Sequence, residues 1–217
     1  MSSLIKICGL RTVDLALAAA TAGADLIGLV FAPSRRQVTV AVAQQIAAAV
    51  RALPPPRPLI VGLFVNEPAA HVADIAATVG LEAIQLSGDE PPDYPTPHGL
   101  PVIKAIRMTD TPLEQAWLAR IAATPTVGQG LPPLTALIDA HVTGAYGGTG
   151  IQADWGRAAH IARQVPTILA GGLTPANVAQ AIAVVQPMGV DVSSGVERDG
   201  QKDPALITAF IAAARSA

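Results

Sequence analysis

The chain has 217 residues, 51% hydrophobic and 14% charged, with 14 basic and 16 acidic side chains for a formal net charge of -2. A single cysteine excludes an intrachain disulfide framework and points to a reducing, cytoplasmic setting. The apolar content excludes disorder, and the lack of basic excess excludes the charge footprint of a nucleic-acid binder.

Short runs of branched apolar residues alternate along the chain with alanine-rich segments at helical spacing. Strands are expected at residues 4–8, 26–31, 59–65, 83–86, 102–106, 136–139, 167–170 and 189–192. Helices are expected near 14–21, 40–53, 68–78, 112–123, 155–163, 175–185 and 204–214. Proline is tolerated in a first helical turn, where its missing donor would be unpaired anyway, and Pro68, Pro112, Pro175 and Pro204 all fall at such starts. The fourth connection, residues 88–100, carries Pro91, Pro92, Pro95 and Pro97 and is expected to lack a helix. The long uncharged stretches 121–138 and 164–190 are broken by glycine, proline and glutamine, so no membrane-spanning helix is expected. Residues 1–10 lack the apolar core of a secretory signal.

Continuous apolar strands indicate a parallel sheet covered on both faces, and eight strand-helix units close a (β/α)8 TIM barrel. Such barrels run to about 200–250 residues as one domain, and no composition break interrupts residues 1–217, so one domain is expected. An open dinucleotide-binding sheet is disfavoured, because the first strand runs into Cys8-Gly9-Leu10-Arg11 with no glycine-rich turn.

In a barrel, catalytic groups belong at the carboxyl ends of strands and a phosphate site after strands seven and eight. That filter selects Cys8, Asp139 and Asp191, together with Gly147-Gly148-Thr149-Gly150, Gly171-Gly172 and Ser193-Ser194-Gly195. Glycine lets backbone amides approach an anion without any lysine, so a phosphorylated small molecule fits. Each residue also has a plain reading: Cys8 as a small buried apolar group, Asp139 as a helix cap or turn acceptor, the glycines as turns, and Arg35-Arg36 as solvated charge. The four histidines show no metal-ligand spacing.

Taken in order, the motifs resemble those of the phosphoribosylanthranilate isomerases of tryptophan biosynthesis. The matching stretches are Lys6-Ile7-Cys8-Gly9, Gly28-Leu29-Val30-Phe31 with Ser34-Arg35-Arg36-Gln37-Val38, Val61-Gly62-Leu63-Phe64-Val65-Asn66 and Ile84-Gln85-Leu86-Ser87-Gly88. Further on come Leu137-Ile138-Asp139, Gly147-Gly148-Thr149-Gly150, Leu169-Ala170-Gly171-Gly172-Leu173 with Asn177, and Val190-Asp191-Val192-Ser193-Ser194-Gly195-Val196-Glu197 ending in Lys202-Asp203.

The resemblance implies an Amadori rearrangement of N-(5-phosphoribosyl)anthranilate to 1-(2-carboxyphenylamino)-1-deoxyribulose 5-phosphate, with no cofactor and no metal. It implies Asp139 as the acid and Cys8 as the base. Arg36 would face the anthranilate carboxylate and Asp191 the sugar hydroxyls. Gly171, Gly172, Ser194 and Gly195 would hold phosphate, with Gly148 and Thr149 closing nearby. An ordinary thiol titrates near 8.5 and an ordinary aspartate near 3.9, so burial is expected to raise the aspartate and a nearby positive group or helix start to lower the thiol. Lys6 has the strand parity of Cys8, which leaves open whether its ammonium comes close.

The chain departs from the family at Ser87, where histidine is usual, and at Ala153, where an aromatic residue is usual. Those departures keep open a catalytically silent sugar-phosphate-binding barrel. The histidine-pathway aminoaldose isomerase is the other alternative; it resembles a duplicated half-barrel with aspartate where Cys8 stands, and no internal repeat is seen here. The expected partner is a phosphorylated small molecule, and the chain a monomer or homodimer.

Overall fold

The structure, a computed structural model, describes residues 3–97, 99–126, 130–139 and 154–217. Apolar runs form eight strands: β1 (Leu4–Cys8), β2 (Leu26–Val30), β3 (Leu59–Phe64), β4 (Ala83–Leu86), β5 (Val102–Ile106), β6 (Leu134–Asp139), β7 (Thr167–Ala170) and β8 (Gly189–Val192). Each pairs in parallel with the next, and β8 pairs with β1, so the sheet closes into a barrel with no edge.

Around it lie α1 (Val13–Ala22), α2 (Val40–Arg51), α3 (Ala69–Val79), α4 (Pro112–Ala123), α5 (Trp155–Ala162), α6 (Val178–Val185) and α7 (Pro204–Arg215). A single 3-10 turn, Ser194–Val196, and a short antiparallel hairpin of β9 (Glu197–Arg198) and β10 (Gln201–Lys202) separate β8 from α7. Helix starts are fixed locally. The hydroxyls of Thr12, Thr39 and Thr111 accept from amides three residues on, and the Asp203 carboxylate accepts from Ala205 and Leu206.

Strand side chains alternate between two cores. Ile5, Ile7, Ile27, Leu29, Ile60 and Ile84 pack outward under the helices, whereas Leu26, Val61, Ala83, Ile103, Leu137 and Ile168 form a separate buried cluster. At the amino end of the barrel, Asp25 accepts from the Ile5 amide at 2.7 Å and pairs with Arg215 at 2.6 Å, while Arg215 also donates to the carbonyls of Ser3 and Gly23. This cluster fastens α7 to the start of β1.

Several expected boundaries shift. Strands two and three stop one residue early, at Val30 and Phe64, and strand six starts at Leu134 rather than Ala136. Pro132 and Pro133 disguised that start, but Pro133 contributes only its carbonyl, which accepts from the Val102 amide. Pro112 and Pro204 open their helices and Pro68 stands just before one, but Pro175 does not open α6. There Asn177 accepts from the Thr174 amide at 2.7 Å, folding residues 174–177 into a turn that delays the helix to Val178.

The fourth connection forms no helix among its described residues. A buried anchor holds it instead. Glu90 pairs with Lys104 at 2.7 Å and accepts from the amides of Asn66 and Gly88, and Trp117 of α4 donates to the Glu90 carbonyl at 2.8 Å.

Candidate active site

The carboxyl ends of the strands surround a cavity of about 530 Å³, within the range typical of small-molecule sites. Cys8 reaches it from β1, Asp139 from β6 and Asp191 from β8, and Arg36 joins them from the connection after β2. Gly171 and Gly172 line it after β7, Ser194 and Gly195 after β8. One cavity therefore unites eight residues far apart in the chain. Gly148 and Thr149, with the rest of the 147–150 cluster, and Ala153 lie outside the described residues.

Cys8 is buried, and its sulfur stands close to the ammonium of Lys6. Lys6 is fully buried and pairs with Asp191 at 2.8 Å. Burial disfavours the lysine's charge, but Asp191 and the thiolate form of Cys8 more than offset it and hold Lys6 above the ordinary lysine range. For the thiol the balance runs the other way. Burial pushes Cys8 above its ordinary value; Lys6 pulls it down without cancelling that effect, and Asp191 adds to the rise. The expectation of a lowered thiol is thus corrected: the positive group is present, but desolvation outweighs it. Asp139 is exposed at the rim.

Arg36 is held by a residue to which no role had been given. Glu197 accepts from Arg36 Nε at 2.6 Å and from its Nη2 at 3.0 Å, and also pairs with Arg35 at 2.7 Å and Lys202 at 2.8 Å. Burial alone would raise this carboxyl, but hydrogen bonds from Arg36 and Lys202 bring it down to about 2. The forked pairing fixes the guanidinium plane at the cavity wall. Lys202 also donates to the Ser193 carbonyl at 2.8 Å, tying the hairpin to the loop after β8. Asp199-Gly200, both at positive φ, is a recognisable hairpin turn that could have revealed this arm from sequence.

The glycines answer to specific constraints. Gly171 and Gly172 adopt φ of 87° and 65°, in the left-handed region that favours glycine, and a Cβ on Gly195 would run into the Leu173 carbonyl oxygen. Across the cavity, Gln85 donates to the Ser87 hydroxyl at 3.0 Å and Arg107 donates to the Ser87 carbonyl at 3.0 Å. Gln85 and Arg107 also line the cavity, so the wall at Ser87 is polar although histidine is missing.

A closed barrel with a thiol, a carboxylate and glycine-built loops around one cavity at its strand ends defines a (β/α)8-barrel enzyme. The sequence model of N-(5'-phosphoribosyl)anthranilate (PRA) isomerase matches residues 5–213. A protein of that name from Roseiflexus sp. (strain RS-1) is 52% identical over 217 residues, covering 98% of each chain. The crystal structure of phosphoribosyl anthranilate isomerase from Thermotoga maritima superposes with a TM-score of 0.82 at 34% identity, covering 99% of this chain and 100% of that one. A second crystal structure of such an isomerase, in complex with reduced 1-(o-carboxyphenylamino)-1-deoxyribulose 5-phosphate, gives 0.79 at 33% identity with the same coverage. The chain belongs to the phosphoribosylanthranilate isomerase family.

Proposed function

We propose that the chain, acting as one barrel domain, converts N-(5'-phosphoribosyl)anthranilate to 1-(o-carboxyphenylamino)-1-deoxyribulose 5-phosphate. The single observation that carries this reading is that Cys8 and Asp139 line the same cavity, in a chain of this family. Asp139 gives a proton to the furanose ring oxygen as the C1–O bond breaks, and the anilino nitrogen supplies the electron pair that forms the iminium. That cation acidifies the C2 proton, and the Cys8 thiolate removes it to leave an enol-amine. Ketonisation moves the enol proton to C1, so reactant and product have the same atoms, and the proton taken by Cys8 returns through solvent to Asp139, restoring both groups.

Burial holds the Cys8 thiol up, so the thiolate base depends on the groups that oppose that rise. Lys6 is placed to stabilise the thiolate that abstraction requires. Asp139 sits at the rim, where seating the aromatic ring and sugar removes water from its carboxyl. Arg36, oriented by Glu197, suits the planar anthranilate carboxylate. Asp191, one oxygen engaged by Lys6, lines the cavity and suits the sugar hydroxyls, and the amides around Gly171, Gly172, Ser194 and Gly195 suit the phosphate. A biosynthetic intermediate as substrate supports a cytoplasmic setting; among the described residues, no helix is long and apolar enough to cross a membrane.

The direct test adds purified protein to freshly made phosphoribosylanthranilate and follows its fluorescence. Catalysed decay with formation of the aminoketose is expected. Tight binding without substrate consumption would instead establish a silent sugar-phosphate binder.

A further inference from the structure

We propose that Lys6 is a positioning residue that sets the charge state of the Cys8 sulfur, and that Gly28 is the strand position that lets the two groups meet. The proposal deepens the reading of Cys8 as the base, on which its catalytic meaning rests.

Three observations carry it. Lys6 and Cys8 share one face of β1, and Cys8 is in register with Gly28 of β2. A Cβ on Gly28 would lie 2.9 Å from the Cys8 sulfur and 3.1 Å from the Lys6 nitrogen, so both groups close over the space a side chain would fill. Lys6 also points into the barrel between its two register partners, Leu26 of β2 and Asp191 of β8, beside an interior cluster that includes the aliphatic Val61, Ala83, Ile103 and Ile168.

A buried lysine there is costly. Replacing a buried ion pair by well-packed apolar residues is often neutral or stabilising, so the Lys6–Asp191 pair is not explained by stability. A positive charge beside the sulfur does explain Lys6, while Asp191 has its own part toward the sugar hydroxyls in the proposed function.

The charged groups that act on Cys8 come from each neighbouring element. Lys6 on its own strand favours the thiolate; Asp191 on β8 opposes it. Lys202 on β10 and Arg36 after β2 also favour it, but both are bound to Glu197. Lys6 is the strongest favourable influence among them.

Cys8 is the sole cysteine, so thiolate absorbance near 240 nm, with the Cys8→Ala protein subtracted, titrates it without ambiguity. In Lys6→Met the midpoint is expected to rise by about one unit or more. In Asp191→Asn it is expected to fall, because the opposing charge has gone. In Gly28→Ala, where a methyl separates sulfur from ammonium and both charges remain, it is expected to rise. A purely structural lysine predicts no such opposition of sign. Midpoints that stay put, or that move the same way in Lys6→Met and Asp191→Asn, overturn the proposal. If Lys6→Met does not fold, the opposite shifts of Asp191→Asn and Gly28→Ala decide it by the same rule. No substrate is needed, so a failed titration leaves the isomerase reading standing, and a failed isomerase assay leaves the titration readable.

Discussion

At the scale of single residues, Glu197 concentrates the electrostatics of the cavity's outer wall. Its side chain is 5% exposed and accepts from three cations, of which Lys202 is itself almost fully buried. Its value near 2 lies below the ordinary 4.5, so the charged cluster contributes stability above about pH 4.5 and loses it as the pH falls toward 2. Glu197→Gln is expected to cost about 3 kcal/mol near neutrality, because it strands a buried ammonium. Denaturant unfolding across this range should show the gap between wild type and Glu197→Gln narrowing as the solution is acidified. A gap that does not change with pH would mean that the carboxylate's charge contributes nothing.

At the scale of elements, the proline-rich fourth connection shows how tertiary contacts replace a missing helix. Lys104 projects from β5, donates to the Gly88 carbonyl at 2.6 Å and pairs with Glu90, whose carboxyl is held below its usual range: burial pushes it up, and hydrogen bonds from Lys104 and the Asn66 amide more than reverse that. Lys104→Met leaves that carboxylate buried without its counterion and is expected to destabilise the protein by about 3–5 kcal/mol. Adding Glu90→Gln should recover part of the loss in a double-mutant unfolding cycle; strictly additive losses would show the pair to be uncoupled. The absence of a helix among the described residues of this connection was legible, since four prolines forbid a long one. The anchor was not, because Glu90, Lys104 and Trp117 carry no local periodicity that marks them as partners.

At the scale of the whole molecule, the barrel was legible because continuous apolar runs, cut by turn residues, force a parallel sheet buried on both faces. The cavity was legible in part. Placing polar residues at strand ends selects Cys8, Asp139 and Asp191, and their motifs carry the family resemblance. The pairings that govern their charge were not legible, since Lys6 meets Asp191 across 185 positions and Arg36 meets Glu197 across 161. Only closure of the sheet makes those residues neighbours, with β1 lying against both β2 and β8. Chain order therefore shows which residues can do chemistry, and barrel closure decides which charges tune them.

Turnover of phosphoribosylanthranilate by Cys8→Ala and Asp139→Asn, each checked for unchanged near-ultraviolet circular dichroism, tests the account most directly. Removing a positioned base or acid is expected to lower kcat by roughly 100-fold or more in each variant. Near-normal turnover in either variant would show that the thiol and the carboxylate are not the pair that moves the protons.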